Sequence, residues 1–337
     1  MKIFFKRLVT LAFLLLIILF IPSCSNQNTS YKFFNKKIIK IALVLSGPVN
    51  DSSWSAAAYN GLKRFQSDYK SDIAVVEKVS LYESKDIFSS LAEKKYDFVI
   101  ALGYKYGFIL KKIARMYPET FFCVVGGEVA RTPNLCSFGF RDEQYGYLLG
   151  VVAGFNTATN KVGIVVGGKL PSIERTIAGM RKGLRAVNPK ADLVVSYIDS
   201  WDDIAKGRDA ALEEINTGVD VITHLADASG IGVIKAAEES DISAIGAITD
   251  QHDLAPTTIV TSGIEDASQL VYIACEHYLG KILEPKIYHF GLKHQVVDIA
   301  PSYGNIDPTT ETKINRIKSE LTDLEIEQTE NLEKIKK

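Results

Sequence analysis

The sequence is poor in cysteine, and its few cysteines form no metal or disulfide motif. Only four occur in 337 residues, and none stands in a CxxC pair. The five histidines likewise lack the spacing of metal ligands. These absences argue against a zinc site and a disulfide scaffold, and we predict no metal. Cys123 and Cys275 lie in apolar segments, which predicts buried, unreactive thiols.

Strong net charge and catalytic motifs are also missing. The formal charge is −1, which gives no reason to expect binding to nucleic acid. There is no GxSxG, HExxH or Walker motif, and no GxGxxG follows the first strand-like run. We therefore predict a protein that is not an enzyme and needs no cofactor.

The longest apolar run is too short to be a typical membrane span. It covers 14 residues, 8–21, whereas a spanning helix needs about 20. Basic residues precede it and "IPSC" follows, which predicts a signal peptide over 1–23. Ser23 before Cys24 resembles a bacterial lipobox, so we expect an acylated, palmitate-bearing Cys24 and a tether over 24–37. Secretion without lipid and a retained anchor are the alternatives.

Short apolar runs alternate with amphipathic helical patterns from residue 38 onward. Wholly apolar strands separated by such helices indicate parallel sheets covered on both faces. About four strand–helix units precede residue 140 and four follow it, which predicts an α/β fold of two doubly wound domains. The strand-like runs are 39–46, 73–80, 97–103, 120–126, 161–168, 192–198, 220–225 and 242–248.

The two tryptophans of the chain both follow strand-like runs. Trp54 lies in the loop after the first run, and Trp201 lies in the corresponding position in the second half. Ligands of such sheets bind beyond the carboxyl ends of the strands. Two indoles facing a cleft would sandwich a flat ligand, with stacking worth about 0.5–1.5 kcal/mol beyond the buried area. The alternative is that each indole caps its own helix.

Four polar residues near these loops are further candidates. The backbone of "SGIG", starting at Ser229, opens a helix and offers N–H groups to a ligand. Asp227 is either a helix N-cap or a carboxylate directed at the cleft, and Asp51 has the same two interpretations. Asp250 is either a ligand group or a hinge residue.

Several stretches together resemble one family. They are "GPVNDSSW", "FRDEQYGYLLGVVAG", "GVDVITHLADASGIGVIKAAEE", "AITDQHDLAPTTIVTS" and "FGLKHQVVDIAP". Over residues 38–303 the chain resembles the basic membrane protein family of lipoproteins, also called the purine nucleoside receptor type, which serve ABC importers. The resemblance implies a type I periplasmic-binding-protein fold, with two Rossmann-like lobes that close on a ligand about a hinge.

The resemblance also implies where the chain passes between the lobes. The implied crossings lie near 128–142, 248–256 and 284–290. The expected divisions are 38–127 with 249–284 for lobe 1, 128–248 with 285–308 for lobe 2, and 309–337 for a C-terminal amphipathic helix.

The family's ligand residues map onto this chain only in part. Trp54 falls on the first-lobe aromatic that stacks on the purine, Trp201 on its second-lobe counterpart, and Lys293 on the lysine that reaches the sugar. Family positions that are acidic in nucleoside-binding members are Ser46, Gly126 and Ile248 here. The resemblance thus supports the stacking pair better than a ribose clamp, with Asp227 as a relocated acceptor.

These inferences predict a substrate-binding lipoprotein of an ABC importer. Its expected partners are a purine nucleoside or nucleobase, the importer's permease, and the membrane through the lipid. We expect it on the cell membrane or the outer membrane, facing the periplasm or the exterior. The alternative function is a surface lipoprotein that acts as an adhesin, with the helix over 309–337 as its contact.

Overall fold

The computed structural model describes residues 38–50 and 54–335, with side chains described as far as Glu325. The predicted signal peptide, lipidated Cys24 and tether lie outside the described residues, as does Asp51. Within the described ranges, no helix has both the length and the apolar character required to cross a bilayer.

The first lobe is built on a six-stranded parallel sheet. Its spatial order is β11-β5-β4-β3-β1-β2, and every neighbouring pair runs parallel. The strands are β1 Ile39–Val44, β2 Ser71–Val76, β3 Phe98–Leu102, β4 Phe121–Val125, β5 Leu135–Phe140 and β11 Ile287–Phe290.

A second six-stranded sheet forms the other lobe. Its order is β12-β10-β9-β8-β6-β7, and only the pairing of β10 with β12 is antiparallel. The strands are β6 Lys161–Val166, β7 Asp192–Tyr197, β8 Val221–Leu225, β9 Ser243–Gly246, β10 Ile259–Glu265 and β12 Val297–Ile299.

Helices cover both sheets because the central strands are buried throughout. All five residues of β3 and of β8 are buried, as parallel strands between helical layers must be. The helices are α1 Trp54–Asp68, α2 Ser84–Glu93, α3 Gly107–Ile113, α4 Asp142–Asn156, α5 Pro171–Val187, α6 Ile204–Asn216, α7 Gly230–Glu239, α8 Ala267–Leu279 and α9 Pro308–Ile335. The predicted two-lobed α/β architecture is confirmed.

The chain passes from one lobe to the other at later residues than the lobe boundaries expected from the sequence. Strand β5 belongs to the first sheet and β10 to the second, although 128–248 was expected in lobe 2 and 249–284 in lobe 1. The crossings therefore follow β5, β10 and β11, near residues 141, 266 and 291. Both "LCSFGF" and "IVTSGIE" contain serine and glycine, so neither stands out as a wholly apolar run.

Helices α4 and α5 of the second lobe pack backbone to backbone. A Cβ atom added at Gly146 would lie 1.9 Å from the carbonyl oxygen of Thr176, and one at Gly150 would lie 2.1 Å from that of Met180. Only glycine permits this approach. The "YGYLLGVVAG" stretch is thus a helix-packing surface that fixes the second lobe beside the first crossing.

The C-terminal helix α9 docks on the body of the protein at the crossings. Ile314 is buried, and the Glu325 carboxylate is only 3% exposed. Glu325 pairs with Arg141 at 3.0 Å and accepts hydrogen bonds from Gln144 Nε2 and the Lys293 backbone N–H, both at 3.2 Å. Burial alone would raise its pKa, but these partners together with His294 lower the pKa to about 2. One carboxylate therefore joins α9 to the first and third crossings.

Candidate functional site

A cavity of about 340 Å³ lies between the carboxyl edges of the two sheets. This size is in the range of small-molecule sites. Residues of both lobes contribute to its walls. The residues that line it include Trp54, Gly126, Glu128, Phe140, Asp142, Arg175, Trp201, Asp227, Ile248 and Glu265.

Trp54 enters the cavity from the first lobe. It is the first residue of α1. Its indole lies against Gly126, where an added Cβ would come within 3.3 Å of the ring, and it contacts Phe140 with 5.5 Å between ring centroids. Gly126 has φ +71° and follows β4. A glycine at this strand end thus provides the surface on which the indole rests.

Trp201 enters the same cavity from the second lobe. It lies between β7 and α6 and is 36% exposed. A Cβ on Gly167, which follows β6, would lie 2.5 Å from the indole. The arrangement repeats that of Trp54 and Gly126. Both indoles therefore line one cavity, each resting on a glycine at the end of a strand of its own lobe.

Ser229 supports the Trp201 loop and does not line the cavity. Its backbone N–H donates to the Trp201 carbonyl at 3.3 Å, and its buried hydroxyl donates to the Ser200 carbonyl at 3.5 Å. The N–H expected for a ligand is therefore used within the protein. Asp227, two residues earlier, does line the cavity, with φ +44°.

An ion-pair bridge joins the lobes beside the cavity. Arg175 of α5 donates from Nε to Asp142 Oδ2 at 2.9 Å and also pairs with Glu128, which lies between β4 and β5 of the first lobe. Burial raises the pKa of Asp142 to about 6, although Arg175 acts in the opposite direction. The bridge holds the two lobes in the arrangement that encloses the cavity.

Glu265 brings a second carboxyl group to the hinge side of the cavity. It ends β10, immediately before the chain returns to the first lobe. Its side chain has no hydrogen bond or ion pair among the described residues. Burial, followed by the nearby Asp142 and Asp227, raises the pKa of Glu265 to about 8. The sequence did not predict this residue as part of the site, because β10 was not recognisable as a strand from its apolar pattern.

Ile248 forms another part of this wall and has a strained backbone. Its φ is +70°, which is unfavourable for a β-branched residue and costs about 1–3 kcal/mol. Its backbone N–H donates to the buried Tyr145 hydroxyl at 3.2 Å. The strain lies where the cavity meets the hinge.

Three other sequence candidates lie outside the cavity wall. Ser46 is exposed after β1, and Lys293 uses its backbone N–H to bond Glu325. Asp250 is exposed and accepts hydrogen bonds from the Tyr303 hydroxyl at 2.5 Å and the His252 N–H at 3.1 Å. The carboxylates at the cavity are instead Glu128, Asp142, Asp227 and Glu265. Of these, the sequence analysis named only Asp227.

The comparisons with known proteins agree with this architecture. Residues 38–331 match the family described as ABC transporter substrate-binding protein PnrA-like. The chain belongs to that family. Basic membrane protein A2 of Borrelia garinii subsp. bavariensis is 27% identical over 324 residues, covering 93% of this chain and 95% of that protein. The family predicted from the sequence is thus confirmed.

Solved structures with the same fold include ABC transporter solute-binding proteins and a transcriptional activator, all of low sequence identity. An ABC transporter solute-binding protein from Aeropyrum pernix K1 matches with TM-score 0.70 and 20% identity, covering 85% of this chain and 92% of that one. A transcriptional activator of the comK gene from Bacillus halodurans matches with TM-score 0.73 and 24% identity, covering 83% and 96%. At these identities the likeness supports the fold alone.

Proposed function

We propose that this PnrA-like substrate-binding protein holds a purine base or nucleoside between Trp54 and Trp201 and delivers it to the permease of an ABC importer. The observation that carries the proposal is the position of the two indoles. They are the only tryptophans in the chain, they come from different lobes, and both line one cavity. Flat π-systems are the ligands that such a pair favours.

The construction of each wall supports this function. Gly126 and Gly167 leave room for the indoles to lie on backbone, so their planes are held by the strand ends and need no ligand to order them. Holding aromatic walls in place in advance reduces the entropy lost on binding. The Arg175 bridge holds the lobes together around whatever lies between the rings.

The same proposal includes a lipid anchor at Cys24, which would keep the protein at the outer face of a membrane beside its permease. Acylation would be tested by metabolic labelling with an alkyne fatty acid. We expect label on the wild type and none on Cys24→Ala, which should appear in the soluble fraction. Label that persists in Cys24→Ala would contradict this assignment.

Ligand binding would be tested by tryptophan fluorescence. We expect quenching by one or more of adenine, guanine, hypoxanthine and their nucleosides, and calorimetry should give a matching Kd. Trp201→Ala should weaken binding by about 10-fold or more, because it removes one stacking face and its buried area. The matched control is Tyr82→Ala, which removes an aromatic ring that is 97% exposed and does not line the cavity. Absence of any response to all six compounds would refute the purine assignment.

A further inference from the structure

The cavity between the indoles has an excess of acidic groups. Among the described residues that line it, four carry carboxyl groups and only Arg175 carries a positive charge. The acidic residues are Glu128, Asp142, Asp227 and Glu265. An anionic ligand placed here would meet repulsion from these groups.

Arg175 is not available to balance all four. Its guanidinium already pairs with Asp142, at 2.7 Å from Nη2 to Oδ2, and with Glu128. Asp227 and Glu265 are the two acidic residues of the cavity that do not pair with Arg175. Neither side chain has a hydrogen-bond or ion-pair partner in the part of the chain that the structure describes. These two carboxyl groups therefore face the cavity with no positive group of the protein to satisfy them.

Ionisation of these two carboxyl groups is unfavourable, because other acidic groups are near them and no positive group of the described residues pairs with them. Burial and the neighbouring Asp142 and Asp227 raise the pKa of Glu265, and burial raises the pKa of Asp227. Asp142 and Tyr145 of α4, and Asp227, interact electrostatically with Glu265. Arg175 reaches this group only through Asp142. A positive charge brought by a ligand would relieve this repulsion.

The remaining walls fit an organic cation better than a metal ion. Within the described ranges, no three His, Cys, Asp or Glu side chains converge as metal coordination requires. Tryptophan is the side chain that attracts cations most strongly through its ring face, and two of them line this cavity. The combination of aromatic faces with unpaired carboxylates recognises a flat, positively charged ring.

We propose that the cavity prefers a flat heterocycle that carries a positive charge, with Trp54 and Trp201 on its two faces and Asp227 and Glu265 as its anionic partners. This inference rests on the proposed function in one respect, since it uses the same indole pair as the ligand site. It goes further by assigning the charge of the ligand and the residues that select it.

The test compares ligands of one shape and three charges. The probes are 1-methylnicotinamide as the cation, nicotinamide as the neutral ring and nicotinate as the anion, each titrated at pH 7.5 and followed by tryptophan quenching. We expect the cation to bind about 10-fold more tightly than the neutral ring, because it adds cation–π attraction and ion pairing. Nicotinate should bind more weakly than nicotinamide. A purine set of 1-methyladenosine, adenosine and adenosine 5′-monophosphate should give the same order.

Variants assign the selection to the two carboxyl groups. Glu265→Gln and Asp227→Asn should each reduce the preference for 1-methylnicotinamide over nicotinamide, and the double variant should reduce it further, to the part that cation–π attraction of the two indoles supplies. Nicotinamide itself should bind each variant about as well as the wild type, which a general loss of structure would not allow. Asp209→Asn, an exposed acidic residue on α6, is the matched control and should keep the full preference.

The pH dependence gives a second measurement. Because the pKa of Glu265 in the empty cavity is about 8, this group holds a proton at neutral pH. A permanent cation must displace that proton, so the affinity for 1-methylnicotinamide should rise between pH 6 and pH 8 while that for nicotinamide stays nearly flat. The rise should disappear in Glu265→Gln.

The outcomes separate this inference from the purine assignment. If the nicotinamide cation is preferred and no purine binds, the charge selection stands and the purine assignment falls. If adenosine binds at least as tightly as 1-methyladenosine and nicotinamide at least as tightly as its methylated form, the charge selection is refuted and the purine site stands. If none of the six probes binds, the charge selection is refuted, and the purine assignment falls with it if the bases and nucleosides named under the proposed function also fail to bind.

Discussion

Glu214 gives the most direct test of the link between burial and stability in this protein. The residue lies on α6, is 2% exposed, and neither carboxyl oxygen has a hydrogen-bond partner among the described residues. It packs against β6, where a Cβ on Gly163 would come within 2.2 Å of Glu214 Oε2. Burial raises the pKa of Glu214 from 4.5 to about 7, with Ser196 opposing part of the rise.

The sign and size of the effect follow from linkage. The folded protein favours the protonated form, so the contribution of Glu214 to stability is complete below the unfolded pKa of 4.5. It is lost as pH rises toward the folded value of about 7. Between pH 5 and pH 8 the free energy of unfolding should fall by about 2–3 kcal/mol because of this one group. For a chain of this size that corresponds to about 3–5 °C in Tm.

The assay is thermal unfolding of the wild type and Glu214→Gln at pH 5 and pH 8. The amide keeps the size of the side chain and does not titrate, so its own unsatisfied groups cost the same at both pH values. The Tm difference between the two proteins should therefore shift in favour of Glu214→Gln by the amount above at pH 8. Glu213→Gln, the exposed neighbour on the same helix, should show no such shift. Parallel changes of Tm in wild type and Glu214→Gln would refute the reasoning.

Three further predictions concern the cavity and its hinge. Gly167→Ala should weaken ligand binding about 10-fold, because the added methyl group displaces the Trp201 indole, and it should shift the tryptophan emission maximum of the ligand-free protein. An unchanged emission spectrum and an unchanged Kd would show that Gly167 does not position the indole. Arg175→Met should also weaken binding about 10-fold, because it breaks the ion-pair bridge between the lobes, and it should increase the radius of gyration measured by small-angle scattering. The control Arg208→Met, which breaks a surface ion pair, should change neither quantity. Glu325→Gln should lower the free energy of unfolding by about 2 kcal/mol at pH 7, and the loss should become smaller as pH falls from 4.5 toward 2. Urea titrations at pH 7 and pH 3 that show equal losses would contradict this prediction.

The sequence predicted most of the fold because the central strands are buried on both faces. All eight predicted runs overlap observed strands, from β1 to β9 with the exception of β5. Two strands, β5 (LCSFGF) and β10 (IVTSGIE), were not predicted. All six residues of β5 and the first five of β10 are buried, including their serines and glycines, which apolar periodicity does not report.

The candidate site was predicted less completely, for a related reason. Trp54, Trp201 and Asp227 follow strands that were predicted from the sequence. The rule that ligands bind beyond the carboxyl ends of parallel strands therefore identified them as candidates. Glu265 ends a strand that was not recognised, and Glu128 meets Arg175 only through the approach of the two lobes. Contacts between lobes depend on how far the cleft closes, which local pattern does not encode.

The attachment of α9 at Glu325 means that the tail of the chain bears on how often the cleft is ready for its ligand. Apparent affinity scales with the fraction of molecules already in the competent conformation. A change in α9 that loosens its hold on Arg141 and Lys293 would redistribute open and closed molecules while leaving every cavity residue intact. Related chains that share one cavity but differ in this tail would then capture the same solute at different concentrations.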